Sequence, residues 1–323
     1  MPEGDSLARA ERELSLVLAG RRLLRAQLRV PALATVDLTD RTVTRVHAYG
    51  KHLFMEIDGA DVLHSHLMME GRWRVLAPGE RWPARSAAVR AVLETEDAQV
   101  LGIELGRLDA MTAGERDDLV ASLGPDPIHA WDAGRALSLL RAGPERELGA
   151  ALLDQRVVAG IGNIFRSESL FMARLSPFCL VGDLPDGALA RVLDVAAEQL
   201  RVNAGRPARR TTPPTVRDRY WVYGRGGRPC PRGHGPVLRD ELADPELQRD
   251  AVGGDPRNLT AVARDVFWCP RCQPGPAAQN IAPPPVVDPR RYGFEAEIRA
   301  CGDQQQLGVG SPFTHSHRGR GRA

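Results

Sequence analysis

Two groups of residues in this chain have the types and spacing for chemistry. The first is Met1-Pro2-Glu3-Gly4. A small second residue such as proline permits removal of the initiator methionine, which leaves Pro2 as a free secondary amine. An α-amino group titrates near pH ~8, so part of it is unprotonated at neutrality. Such an amine can attack C1′ of a sugar and form an iminium ion. Glu3, beside it, can donate a proton to the sugar ring oxygen or shuttle protons. The bland reading stands next to this one: many chains begin Met-Pro, and proline suits the approach to a first helix. The second group is Cys230-Pro-Arg-Gly-His234 with Cys269-Pro-Arg-Cys272. Thiolates and an imidazole at these spacings suit one tetrahedral zinc ion, and four protein ligands leave no open position, which points to a structural site and argues against a hydrolytic zinc enzyme. The long gap from His234 to Cys269 leaves open that the two pairs are unrelated.

Weaker signals lie between these groups. Of 43 lysine and arginine residues, only Lys51 is lysine. An arginine-biased coding background explains the scarcity, and it makes the surviving amine informative, because a compact, tunable amine is what arginine cannot supply. In Asp154-Gln155-Arg156 through Gly160-Ile-Gly162-Asn163, two glycines at a helix start let a phosphate approach free backbone amides, and Asn163 adds a donor. A tight packing turn would look the same. Arg264, five residues before Cys269, would be presented rigidly to DNA phosphate by a zinc-clamped hairpin; an ordinary solvated arginine is the alternative.

The elements that must position these residues follow from periodicity. Leu7, Leu14, Val17 and Leu18 share one face of a helix expected over 4–20. From 22 to about 106 the pattern is that of antiparallel strands, with two of them broken at Tyr49-Gly50-Lys51 and a hairpin-like turn at Asp58-Gly59-Ala60-Asp61. Leu123 to Asp132 is a breaker-rich junction. Helical stretches follow to about 206, including RALSLLRAG, RELGAALLDQ, GNIFRSESLFMARL and GALARVLDVAAEQLRVNAG. Residues 207–229 read as an Arg-, Thr- and Pro-rich connection, and the cysteine-bounded module runs to 273. The expected fold is α+β: a mostly antiparallel sheet domain with a leading helix (1–125), a helical domain (126–222), a cysteine-bounded module (223–274) and a disordered tail (275–323).

Composition is that of a soluble globular protein, 43% hydrophobic and 26% charged over 323 residues. A net charge of +2 argues against a packaging protein and leaves room for a local basic patch. Five cysteines, three of them clustered, suggest a metal site rather than a disulfide framework. No apolar run has the length of a membrane span. The charged N-terminus lacks the core of a secretion signal, so a cytoplasmic protein is expected.

Together these pieces resemble the formamidopyrimidine-DNA glycosylase and endonuclease VIII family, over Met1 to Gln273. MPEG is like the endonuclease VIII branch. Tyr49-Gly50-Lys51 resembles the lysine loop. His66-Leu-Met-Met69-Glu-Gly71 resembles the loop that fills the hole left by a flipped nucleotide. Leu123-Gly-Pro-Asp126 resembles the interdomain junction. Leu152-Leu-Asp-Gln155 to Asn163 and Glu168 resembles the helix–two-turn–helix motif, and Val222-Tyr-Gly-Arg225 to Cys230 with Phe267 to Gln273 resembles the zinc-finger frame. The resemblance implies that 1–125 is an N-terminal catalytic β-sandwich, 126–222 a helix–two-turn–helix DNA-binding domain and 223–274 a zinc-finger β-hairpin, and that the whole is a bifunctional glycosylase and abasic-site lyase of base excision repair. It would excise oxidised bases, pyrimidines favoured, from double-stranded DNA and cut the strand by β,δ-elimination. Pro2 would be the Schiff-base nucleophile, Glu3 the proton donor, Lys51 an aid to excision at backbone phosphate, and Met69 the wedge. Gln155, Asn163, Glu168 and Arg264 would belong to the DNA-binding set, Arg264 counting also as catalytic. Cys230, His234, Cys269 and Cys272 would hold Zn2+.

Three positions depart from the family pattern. Gly233 stands where a second cysteine is usual, with His234 next. An insertion, LADPELQRDAVGGDPRN, separates the ligand pairs. Ser6 replaces a common glutamate. Arg107 stands where the family contacts the orphan base. Two alternatives remain at this stage: the same chemistry on oxidised purines, and a non-catalytic zinc protein that binds damaged DNA.

Overall fold

The computed structural model describes residues 2–59, 61–243 and 263–275. The state of Met1, the insertion beyond Ala243, Cys301 and all but the start of the tail lie outside the described residues. In chain order the helices are α1 (Gly4–Leu18), α2 (Ala113–Ala121), α3 (Ala133–Arg141), α4 (Leu148–Ala151), α5 (Asn163–Ala173) and α6 (Asp186–Ala204). The strands are β1 (Arg21–Arg22), β2 (Arg25–Leu28), β3 (Thr42–Tyr49), β4 (His52–Ile57), β5 (Asp61–His66), β6 (Arg72–Leu76), β7 (Val89–Glu94), β8 (Gln99–Ile103), β9 (Arg107–Thr112), β10 (Leu238–Leu242) and β11 (Arg264–Trp268).

Nine of these strands form two antiparallel sheets, ordered β1-β3-β4-β5-β9 and β2-β7-β8-β6. Alternation sends one face of each sheet inward: Val43, Leu53, Met55 and Leu63 of the first meet Ala91, Leu93 and Val100 of the second. Helix α1 closes this core with Leu7, Leu14 and Leu18, which fall on one side of a 3.6-residue repeat. A second core joins α3, α5 and α6 through Leu140, Phe165, Leu170, Leu189 and Leu193. The hairpin β10–β11, paired from Leu238↔Trp268 to Leu242↔Arg264, packs Phe267, Cys269 and Cys272 against Phe171 and Trp221. The sandwich, the helical region and the C-terminal hairpin expected from sequence are thus present. Among the described residues no helix is long and apolar enough to cross a membrane.

Four features differ from expectation. Strand β9 and helix α2 lie beyond the strands expected to end near residue 106, although Thr112 and Glu115 form a reciprocal capping box in which Thr112 Oγ1 accepts from the Glu115 amide at 3.2 Å. Helix α4 is a single turn rather than ten residues. The Asp154 carboxylate accepts the Arg156 amide at 2.9 Å and turns the chain before the helix can continue. The connection after α6 is packed rather than open: Arg209, Thr211, Thr212, Trp221 and Val222 are buried.

Candidate active site and nucleic-acid interface

The N-terminus is sewn to the two-turn segment before α5. The Gly4 amide donates to Gly160 O at 2.9 Å. Glu3 is fully buried and its carboxylate receives three amides: Gly162 at 2.9 Å, Ile164 at 2.8 Å and Phe165 at 3.2 Å. These are orphan donors of the first turn of α5, at the positive end of the helix dipole. Gly162 is required there, because a Cβ would lie 2.4 Å from Glu3 Cγ and Cδ. Pro2 is half-buried, one residue from this fixed carboxylate.

Arg209 forms the other wall, and nothing in the sequence singled it out. Its Nε donates to Asp5 Oδ2 at 2.9 Å and its Nη2 to Asp5 Oδ1. Its Nη1 lies 3.9 Å from Glu3 Oε1, and its guanidinium sits over the Phe165 ring. Ser6, the departure from the family pattern, fits this arrangement. Its Oγ accepts from Arg9 Nη2 at 3.1 Å and from Arg209 Nη2 at 3.0 Å, where a larger acidic side chain would compete with Asp5 for the same cations.

Lys51 enters from the sandwich, at the turn between β3 and β4. Tyr49 donates its hydroxyl to Gly124 O at 3.0 Å, and the Gly50 amide donates to Asp126 Oδ2 at 2.7 Å, so the interdomain junction grips the turn. Part of the Lys51 surface remains exposed, yet burial of the amine is the largest influence on it. Glu3 favours its charge, while Arg264, Arg166 and Arg209 oppose it, and its pKa falls to about 8. Four cations therefore act in one region beside Glu3 and Asp5, an arrangement suited to phosphate.

Asn163 opens α5 and is nearly buried. Its Oδ1 accepts from Arg166 Nη2 at 2.5 Å, which turns the amide nitrogen the other way, as a donor. The same Arg166 nitrogen donates to Asp265 O at 2.7 Å on β11. Arg166 was likewise unread in the sequence; burial pulls its pKa down to about 9. Arg264, at the start of β11, brings Nη1 within 3.9 Å of Met69 Sδ. Met69 is an exposed apolar side chain, while Met68 beside it takes φ +55 and folds over Gly106.

Two residues expected at the DNA have their polar atoms committed within the protein. Gln155 donates Nε2 to Leu153 O and Ile161 O and accepts the Gly160 amide, so it shapes the two-turn segment. Glu168 is fully buried and accepts the amides of Trp221, Val222 and Tyr223 at 2.7–2.8 Å, together with the Thr211 hydroxyl. Burial pushes its pKa up against these bonds. Both residues organise the backbone that faces the site. Arg107 is paired with Asp109 on β9.

At the C-terminal hairpin the donor atoms of Cys230, His234, Cys269 and Cys272 all lie within 4.8 Å of one another. Cys230 Sγ and Cys272 Sγ are 3.7 Å apart, close to the ~3.8 Å edge of a tetrahedron of thiolates 2.3 Å from a metal. His234 Nδ1 lies 3.0 Å from Cys272 Sγ. The two pairs are one cluster, able to hold one metal ion, and the ligand pairs are joined by the hairpin rather than by sequence proximity.

Comparison with known proteins agrees with this geometry. Residues 1–107 match the family model of the formamidopyrimidine-DNA glycosylase N-terminal domain, and residues 123–209 match that of the formamidopyrimidine-DNA glycosylase H2TH domain. A probable endonuclease 8 2 of Streptomyces coelicolor is 45% identical over 279 residues, covering 86% of this chain and 95% of that one. The DNA-(apurinic or apyrimidinic site) lyase Nei2 of Mycolicibacterium smegmatis is 39% identical over 279 residues, covering 84% and 99%. The structure of Lactococcus lactis formamidopyrimidine-DNA glycosylase bound non-covalently to DNA containing an abasic site superposes with a TM-score of 0.67 at 21% identity, covering 84% of this chain and all of that one. At that identity the likeness shows the fold.

Proposed function

This chain belongs to the formamidopyrimidine-DNA glycosylase and endonuclease VIII family, and on that premise we infer that it is a bifunctional DNA glycosylase and abasic-site lyase of base excision repair. The observation that carries the residue assignment is the seam itself. Glu3 is locked under α5, with the Lys51 turn, Asn163 and Arg264 assembled from three separate regions around it. A base must leave the stack before its glycosidic bond can be reached, and in this reading the exposed Met69 side chain would hold the vacated space.

In the proposed reaction the Pro2 amine, freed by loss of Met1, attacks C1′, and the oxidised base departs with its bonding pair and the proton of the attacking amine. The C1′–O4′ bond then opens as Glu3 relays a proton from solvent to O4′, which leaves an iminium between Pro2 and C1′. The iminium acidifies the C2′ hydrogen. Its loss expels the 3′ phosphate, a second elimination expels the 5′ phosphate, and water releases the amine. Lys51, Asn163 and Arg264 hold the phosphates through these steps. Zinc fits the Cys3His cluster by donor type and spacing, and it would fix the hairpin that carries Arg264 without entering the chemistry. The substrate is damaged double-stranded DNA, with the protein acting as a cytoplasmic monomer at the nucleoid. The preference for oxidised pyrimidines rests on the resemblance of the MPEG start to the endonuclease VIII branch.

The test uses protein with an untagged N-terminus and a duplex carrying one abasic site, followed by borohydride. A covalent protein–DNA adduct that maps to Pro2 and disappears in Pro2→Gly is expected. Absence of the adduct, with Met1 shown by mass to be gone and DNA still bound, would overturn the assignment. Rates on matched duplexes containing an oxidised pyrimidine or an oxidised purine decide the lesion preference.

A further inference from the structure

The Lys51 turn is held by a chain of charged groups that the reaction above does not use. The Asp126 oxygen that accepts the Gly50 amide also contacts His129 Nδ1 at 2.9 Å. The other Asp126 oxygen accepts the amides of Ile128 at 2.7 Å and His129 at 3.4 Å. His129 Nε2 then reaches Glu11 Oε2, on α1, at 2.7 Å. An imidazole with a carboxylate at each nitrogen has to donate from both, which is its protonated form. Burial works against that charge, and the bonds to Asp126 and Glu11 more than reverse it, lifting the pKa to about 9. An imidazolium thus joins three pieces far apart in sequence: the first helix, the junction and the turn before Lys51.

Other groups frame this contact. Tyr49 on β3 feels Asp126 and Arg135, and His47 on the same strand feels Glu11. From α6, Arg201 donates to Pro127 O at 2.8 Å. There is little slack on the far side of the turn. Gly50 adopts φ +57, and a Cβ on it would lie 2.9 Å from Ala159 Cβ. The Asp126 carboxylate is therefore the handle by which the turn is set, and His129 fixes the handle.

We propose that His129 is a positioning residue for base excision: by bridging Glu11 and Asp126 it holds the carboxylate that anchors Gly50, and so sets the reach of the Lys51 amine toward the DNA. The inference rests on the reading that Lys51 assists excision. A salt bridge that merely ties α1 to the junction would affect stability alone, so the test needs readouts that stability does not move.

The first readout is the amide signal of Gly50 in the full-length protein, followed by nuclear magnetic resonance. In the wild type it should step as pH rises through about 9 and the imidazolium is lost; in His129→Gln the step should be gone. The second is single-turnover excision of an oxidised base. His129→Gln should slow it about tenfold, in line with the cost of sub-ångström misplacement, with a smaller loss in borohydride trapping at a pre-formed abasic site. Glu11→Gln, which removes one arm without touching the junction, should fall between. His129→Arg, a permanent cation with two faces to donate from, should restore most of the excision rate. Its rate relative to wild type should climb above pH 9, a ratio in which the titrations of Pro2 and Lys51 cancel. A Gly50 signal indifferent to His129, or excision and trapping lost in equal measure in step with melting temperature, would overturn the proposal. A wild type that traps no DNA would sink the parent reading instead, and the Gly50 signal would still decide whether the clasp exists.

Discussion

At the N-terminal seam, the candidate site is held by carboxylates: Glu3 on three amides, Asp5 on Arg209 and Arg9, Asp126 on Gly50 and His129. At the C-terminal hairpin, Arg264 starts one of two five-residue strands that lie beside a cluster of three thiols and an imidazole. The seam is backed by two extended cores, from α1 and the sandwich on one side and from α5 and α6 on the other. The hairpin is backed by two small clusters. The difference teaches where each region's order comes from. The seam draws on tertiary burial and buried ion pairs, whereas a hairpin this short needs cross-linking by metal to be independently ordered.

The sharpest test of the contrast is to remove the metal. Structural zinc contributes on the order of 10 kcal/mol to small modules of this kind. Chelation, or Cys269→Ser, should therefore release the hairpin and abolish tight duplex binding while the sandwich keeps its melting transition. Near-ultraviolet circular dichroism and binding to an abasic-site analogue would report the two parts. Concerted loss of both would erase the distinction between the regions.

Arg209→Met attacks the other side. It strands the Asp5 carboxylate, which has no exposure, beside a single remaining arginine, and removing one partner of a buried pair costs about 3–5 kcal/mol. Calorimetry should show the main transition lowered while the metal content stays at one ion per chain. A variant that melts like the wild type would mean the seam does not depend on its buried pairs.

The smallest effect is a pH dependence. Burial lowers the Lys51 pKa to about 8, so the amine carries its charge below that pH and loses it above. Affinity for an abasic-site analogue should decline as pH rises through about 8, and Lys51→Arg should flatten the decline. The stability sign is opposite. The folded state holds this proton less tightly than the unfolded chain, so the cost is full below about 8 and is relieved as pH rises toward the ordinary lysine range of about 10.4. Lys51→Ala should weaken base excision and leave abasic-site cutting partly intact; equal loss of both would remove the lysine from the excision step.

Much of the site was legible because its residues announce themselves by type or spacing: Pro2-Glu3, the single lysine, the Gly-x-Gly before Asn163, and the Cys and His pairs. The sheet region was legible because strand-forming runs broken at Tyr49-Gly50-Lys51 and at Asp58-Gly59 mark β3, β4 and β5. What escaped has a common cause. Arg209 and Arg166 are two of many arginines, and only their burial beside Asp5 and Asn163 separates them from the solvated ones. Glu168 and Gln155 were expected at the DNA because they lie in a DNA-facing motif, and their acceptors and donors turn inward to the backbone instead. Helix α2 had a readable capping box, and its polar character hid it.

The sequence by itself determined the local decisions: where α1 begins, that the chain turns at Gly50 and Gly160, and which four side chains have the chemistry to bind metal. These follow from short-range sterics, periodicity and ligand type, all carried within a few residues. Only the tertiary structure decided which distant groups meet: Glu3 with α5, Asp5 with Arg209, His129 with Glu11, and His234 with Cys272. Those meetings set burial, and burial sets both the charge on Lys51 and the strength of every ion pair around it. Desolvation depends on everything packed nearby, and no spacing along the chain encodes it.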